Sequence, residues 1–140
     1  MLDGDNIRFG LNKNLGFSEE DRKENIRRIS EVVKLFVDNG QAVLTAFISP
    51  FQEARNRVRQ LVEQKGFVEV YVKCLLVKYE KRDQKGLYQR ARNGEIKKFA
   101  GTDSLYEEPV NLELVIETNR YSVEECIVQV ITCLEKAQLI

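Results

Sequence analysis

Residues 2–28 read LDGDNIRFGLNKNLGFSEEDRKENIRR. This stretch puts two aspartates two residues apart, four arginines and an exposed-looking aromatic, Phe17, into one polar segment that runs from a strand end into a helix. That is the composition of a site rather than of a core. Asp3 and Asp5 flank Gly4, so on an extended or turning backbone both carboxylates can reach one side, to hold the waters of a Mg²⁺ ion or to accept a proton. Arg8, Arg22, Arg27 and Arg28 offer planar forks that match phosphate or sulfate oxygens. Read from the residues alone, the segment is either a site for an oxyanion-bearing ligand beside a carboxylate or a solvated, charge-rich loop with a DG turn.

Outward from it, strand and helix patterns alternate. Met1 and Leu2 end a strand whose carboxyl end delivers Asp3 and Asp5, where ligands of open α/β sheets bind. Ser18 is a helix N-cap followed by Glu19, Glu20 and Asp21, whose charges suit the helix dipole. That helix is expected to run to about Asn39 and stop at Gly40, burying Ile26, Ile29, Val33 and Phe36 as one stripe. Arg22 and Asn25 lie one turn apart near its start and can face the site together. Residues 41–49, QAVLTAFIS, predict a strand buried on both faces. Pro50 opens a second helix with Phe51, Ala54, Val58, Leu61 and Val62 on its buried side. A strand over 67–73 and a short helix over 75–82 follow. Residues 82–101 are basic, hold three glycines and few aliphatics, and read as an ordinary solvated helix and loop or as a lid. The last strand falls at 112–118. Ser122 and Glu125 form a capping box for a final helix burying Val123, Ile127, Val130, Ile131 and Leu134. This alternation predicts an α/β fold, a three-layer parallel sheet with helices on both faces.

Composition narrows the function. The 140 residues are 43% hydrophobic and 31% charged, ordinary for one globular domain spanning 1–140. Lysine plus arginine equals aspartate plus glutamate at 22 each, which leaves no overall field to favour nucleic acid or an anionic membrane. Any basic site is local. With no apolar run of about 18 residues and no signal-like start, the expectation is a cytoplasmic chain with no membrane partner. Three cysteines, Cys74, Cys126 and Cys133, form no CxxC pair and the chain has no histidine, so a zinc site or a histidine-based triad lacks its materials.

The motifs resemble one family. Leu2-Asp3-Gly4-Asp5-Asn6-Ile7-Arg8, Gly10-Leu11-Asn12, Leu15-Gly16-Phe17-Ser18 and Asp21-Arg22 with Glu24-Asn25-Ile26-Arg27-Arg28 are similar to the adenylylsulfate (APS) kinases. Phe47-Ile48-Ser49-Pro50, Arg82-Asp83 with Lys85-Gly86-Leu87-Tyr88, Ala91-Arg92 with Gly94-Glu95-Ile96-Lys97, and Phe99, Gly101, Asp103 with Tyr106-Glu107 and Pro109 follow in order. The likeness covers essentially the whole chain. It implies a P-loop kinase fold and transfer of the γ-phosphoryl of ATP to the 3′-hydroxyl of adenosine 5′-phosphosulfate, with Mg²⁺. It assigns Asp3 or Asp5 to orienting or deprotonating that hydroxyl and to the Mg²⁺ waters, with no direct metal ligand, and Lys97 to the transferring groups. Arg8, Arg22 and Asn25 match positions that grip phosphosulfate and ribose. Phe17 and Phe99 match the pair that sandwiches the adenine, Ile48 and Ser49 line the same pocket, and Arg82 stands at the root of the lid, 82–101, on the ATP side. It also implies a homodimer. Ala100, Lys98 and Leu75 depart from the commonest family pattern, and the departures touch the lid more than the APS half.

One family motif is absent. Kinases of this class carry a GxxxxGK[ST] loop whose backbone N–H groups wrap the nucleotide phosphates, and the chain has no Gly-Lys dipeptide. The expectation is a fold lacking its first βαβ unit, about 30 residues, so that strands 41–49 and 67–73 lose the neighbour between them. Either the chain is a fragment of a complete kinase, or it is a shortened, catalytically inactive relative that binds APS and pairs with an intact kinase. Undecayed site motifs favour the fragment. A kinase of another small alcohol is disfavoured by the combination of LDGDN, FISP and KGLY.

Overall fold

The computed structural model describes residues 1–62, 66–75, 86, 89, 93 and 106–140. In chain order its elements are β1 (Leu2–Asp3), α1 (Gly4–Phe9), α2 (Glu19–Asp38), β2 (Thr45–Ala46), α3 (Gln52–Val62), β3 (Val70–Lys73), β4 (Leu114–Glu117) and α4 (Val123–Lys136). The class is α/β: β1 pairs parallel with β2, Leu2 opposite Thr45, and β3 pairs parallel with β4, Val70 opposite Leu114. Two compact units result. One holds Met1–Phe67 with Leu105–Glu108, the other Val68–Ser104 with Pro109–Ile140.

The first unit is built on α2. Ser18 caps it by accepting from the Asp21 N–H at 3.1 Å, with Glu19, Glu20 and Asp21 in the first turn. It ends as a Schellman turn, with Gly40 at φ 78°, its N–H donating to Val37 and that of Gln41 to Phe36. Ile29 and Val33 of α2 meet Val62 of α3 in the buried apolar cluster, and Leu2, Ile7, Val43, Phe47 and Phe67 pack around it. Phe67 therefore belongs to this core, and the strand predicted from residue 67 begins only at Val70. Phe36, expected in the stripe, is exposed at the far end of the helix. The turn around Gly4 is itself helical: Asp3 Oδ1 accepts from the N–H groups of Asp5 and Asn6 and caps α1.

Strand β2 differs from its expectation. Val43 and Phe47 pack on the cluster, whereas Leu44 is 63% exposed and Ile48 60%. Val43 and Phe47 on one side are half-buried, and the other side is exposed. The physical reason is the pairing: among the described residues β2 has one partner strand, β1.

In the second unit α4 starts with the expected capping box, Ser122 Oγ accepting from Glu125 N–H and Glu125 Oε2 from Ser122 N–H. Its face is only partly covered. Val130 and Leu134 are half-buried, whereas Val123 is 71% exposed, and Ile127 and Ile131 are exposed too, contrary to the burial expected for all five. Among the described residues the sheet beside α4 has two strands of 4 residues, about 13 Å long, shorter than the 14-residue helix at about 21 Å. The short helix expected over 75–82 and the lid over 82–101 lie almost entirely outside the described residues.

The one-sided burial of β2 gives a direct test by urea unfolding. Ile29→Ala should cost about 2–5 kcal/mol, whereas Leu44→Ser should stay within about 0.5 kcal/mol. Comparable losses at the two positions would mean that β2 is covered on both faces.

Candidate functional site

Arg8, Phe17 and Arg22 collect at the N-terminal end of α2. The loop between α1 and α2 is tied to the helix by Asn12, whose side chain is 0% exposed. Asn12 Nδ2 donates to Asn25 Oδ1 at 2.9 Å, and Arg28 donates from one terminal nitrogen to Asn12 Oδ1 at 3.4 Å and to Asn14 Oδ1 at 2.9 Å. Further along the loop Gly16 N–H donates to Asp21 Oδ2 at 3.1 Å. A Cβ on Gly16 would stand 2.9 Å from that oxygen, so a larger residue here would push the Asp21 carboxylate aside.

This docking brings two cations to one ring. Arg8, at the end of α1, donates to the carbonyls of Leu15 and Gly16 at 3.2 and 2.9 Å, and its guanidinium lies 4.6 Å from the centre of the Phe17 ring. Arg22, in the first turns of α2, donates through Nε to the Phe17 carbonyl at 3.0 Å and lies 5.6 Å from the same ring centre. Phe17 itself is 59% exposed, so its ring is shared by two guanidiniums and still open to solvent. Burial lowers the Arg8 pKa against a smaller opposing influence of Asp21, and burial lowers that of Arg22 with the like charge of Arg8 adding to it. Both groups nevertheless stay protonated. Two desolvated cations of one sign beside an open aromatic face are relieved by an anion, and a planar base can stack there.

The other expected site residues fall as follows. Asp3 is half-buried at the α1 cap, with one oxygen taken up by two amide protons, and Asp5 is exposed in the first turn of α1. Asn25 is buried beside Arg22 on α2. Ile48 is exposed, and the Ser49 carbonyl accepts from Arg55 at 2.6 Å. Lys97, Phe99 and Arg82 lie outside the described residues. Arg27 and Arg28 are not open forks: both donate to Glu24, Arg27 in two bonds of 2.6 and 2.8 Å and Arg28 through Nε at 2.8 Å.

Three residues escaped the sequence reading. Asn12 gives no local signal, since a polar residue in a loop is normally solvated. Glu24 looks like any helical acid until its two arginine partners are seen on one face. Arg55, buried on α3, donates to the carbonyls of Ser49 and Glu107, both at 2.6 Å, and to Gln52 Oε1 at 2.8 Å. The Glu107 carboxylate in turn accepts from the Gln52 N–H, so the segment after the predicted lid is fastened to the turn that carries Ser49. An arginine four residues after Phe51 on the expected buried side of a helix was the available clue.

Glu24 carries a pH dependence. Hydrogen bonds from Arg27 and then Arg28 hold its carboxyl down at about 2 against an ordinary value of 4.5. A carboxylate whose pKa is depressed in the folded state stabilises the fold fully above its unfolded value, and the contribution is lost as pH falls through the folded one. Stability should therefore fall between about pH 4.5 and 2, and Glu24→Gln should flatten that limb in urea titrations. An unchanged acid limb in the variant would dissociate Glu24 from it.

Comparison with known proteins is consistent along nearly the whole chain. The sequence profile of the family described as adenylylsulphate kinase matches residues 1–117. An adenylyl-sulfate kinase of Bacillus licheniformis is 66% identical over 126 residues, 90% of this chain and 64% of that protein. One from Oceanobacillus iheyensis is 58% identical over 139 residues, 99% of this chain and 70% of its own length. The chain thus spans just under two thirds of the first of these relatives. Among solved structures, the Mycobacterium tuberculosis APS kinase CysC in complex with AMPPNP and APS superposes with a TM-score of 0.89 at 46% identity, over 96% of this chain and 78% of that one. A hexameric APS kinase from Thiobacillus denitrificans gives a TM-score of 0.69 at 29% identity, over 97% of this chain and 22% of that one. The neighbours share the α/β fold of P-loop kinases, and this chain belongs to the adenylylsulphate kinase family.

Proposed function

We propose that this chain carries the acceptor half of an adenylyl-sulfate kinase, the part that binds adenosine 5′-phosphosulfate and presents its 3′-hydroxyl to the γ-phosphoryl of ATP. The observation that carries this reading is the pair of guanidiniums, Arg8 and Arg22, against the open ring of Phe17. In this reading the phosphosulfate anion is gripped by Arg8, Arg22 and the amide of Asn25. The adenine stacks on Phe17, with Phe99 on its other face and Ile48 and Ser49 along the pocket wall. Asp5, exposed at the start of α1, accepts the proton of the 3′-hydroxyl, and Asp3 holds the turn that aims it. Lys97 serves the transferring group and Arg82 the ATP side of the lid.

Phosphoryl transfer of this kind depends on positioning and charge neutralisation more than on covalent help from the protein. Bound Mg²⁺ supplies charge neutralisation on the nucleotide phosphates. Asp3, at the end of β1, and Asp5, in the first turn of α1, are hard oxygen donors on either side of Gly4, and they fit a role in holding that ion's waters. The 140 residues contain no GxxxxGK[ST] loop. A second reading is that the 140 residues by themselves bind APS without transferring phosphate and pair with an intact kinase subunit. Assembly as a homodimer, expected from the family resemblance, belongs to the same proposal.

Calorimetric titration with APS and with Mg·ATP tests the reading. APS should bind, and Phe17→Ala, at a position too exposed to hold the fold, should weaken it about 5- to 150-fold, the equivalent of about 1–3 kcal/mol of base stacking. Arg22→Met should weaken it at least as much. Equal affinity in all three chains, or tight Mg·ATP binding without APS binding, would overturn the assignment of this end of α2 to the acceptor.

A further inference from the structure

We propose that Asn12, a residue with no part in the ligand contacts suggested above, is a positioning residue that forces Asn25 to present an N–H group rather than an oxygen to the bound anion. The inference rests on the acceptor-site reading and goes beyond it, because it concerns how the polarity of one contact is set. Its basis is an ordered relay. Glu24 accepts from Arg27 and Arg28, and the Arg28 bond, 2.8 Å from Nε, holds that guanidinium against the loop. A guanidinium donates and cannot accept. The side-chain atom of Asn12 facing Arg28 at 3.4 Å must therefore be its oxygen. The same requirement fixes the Asn14 oxygen on Arg28 at 2.9 Å.

With its oxygen directed to Arg28, Asn12 can offer only its NH₂ to Asn25. It donates to Asn25 Oδ1 at 2.9 Å, and burial of both side chains makes a reversed, oxygen-to-oxygen arrangement costly. Asn25 is thereby left with its Nδ2 donors, one helical turn from Arg22. Turned the other way, Asn25 would offer an oxygen on the helix face it shares with Arg22, one turn away. The charge at the start of the relay is secure at neutral pH, since its two arginines keep the Glu24 carboxyl at about 2.

The test is a double-mutant cycle on the full chain, with APS affinity measured by calorimetry in the native, Asn12→Asp, Asn25→Ala and doubly substituted proteins. Asn12→Asp keeps the shape but replaces the donor by an acceptor, so Asn25 turns over and offers its oxygen to the ligand. Affinity should fall about tenfold or more in the native background and by less than about twofold where Asn25 is already alanine. A merely structural Asn12 would give the same loss in both backgrounds, and that result, like no loss at all, overturns the inference. Should Asn12→Asp fail to fold, Arg28→Met in the same two backgrounds reads the relay from its other end, with the same two outcomes. Arg22→Met separates the layers. If it leaves APS affinity untouched, the acceptor-site reading falls and this inference falls with it. If it weakens binding while the cycle is additive, only the role of Asn12 is lost.

Discussion

Ile29 and Val33 of α2, packed against Val62 of α3, are the contact on which the first unit depends. They are the apolar residues that fix where α2 lies, and α2 carries Arg22, Asn25 and the two arginines clamped by Glu24. A stripe at three- and four-residue spacing leaves the opposite face and the N-terminal turn free for polar work. The hydrophobic contact therefore locates the site without entering it. Burying these side chains offsets the entropy of ordering a 20-residue helix, which its local propensities alone would not do.

Above that core the electrostatics run against stability. Arg8 and Arg22 are drawn together over one ring, partly desolvated and repelling one another. Backbone carbonyls at Leu15, Gly16 and Phe17 take up part of their hydrogen-bonding capacity and keep the guanidinium planes fixed. A fixed, like-charged pair beside an exposed aromatic is costly for a structural element and supports the anion-binding role proposed for this end of α2. Gly16 and the Asp21 carboxylate make the loop lie close enough for this, and the Asn12 bond to Asn25 seals its base.

Away from the site, the sheets explain the distribution of exposed apolar side chains. Both are parallel and each has two strands among the described residues, so Leu44 and Ile48 on one side of β2, and Val123 and Ile127 on α4, have no layer over them. Parallel strands are normally covered on both faces, and the sequence of residues 41–49 is written for such a position even though only Val43 and Phe47 of its large apolar residues are half-buried here.

Much of this was legible in the sequence, and for local reasons. Helix starts at Ser18 and Ser122 and the stop at Gly40 follow from capping chemistry within a few residues, and the parallel α/β class follows from alternating periods. The ordered motifs marked the family, and Arg8, Phe17, Arg22 and Asn25 stood out as polar or aromatic residues off any apolar stripe. What the sequence could not fix was which polar groups turn inward. Asn12 is fully buried, Arg55 is buried on three partners, and Arg27 and Arg28 are claimed by Glu24 instead of by a ligand. Nor could it fix how far each strand is covered, so Leu44, Val123 and Ile127 read as core and stand in solvent. Capping and periodicity act over a few residues and are written locally. Burial of a polar group and coverage of a strand depend on which distant segment arrives opposite, and only the tertiary structure decides that.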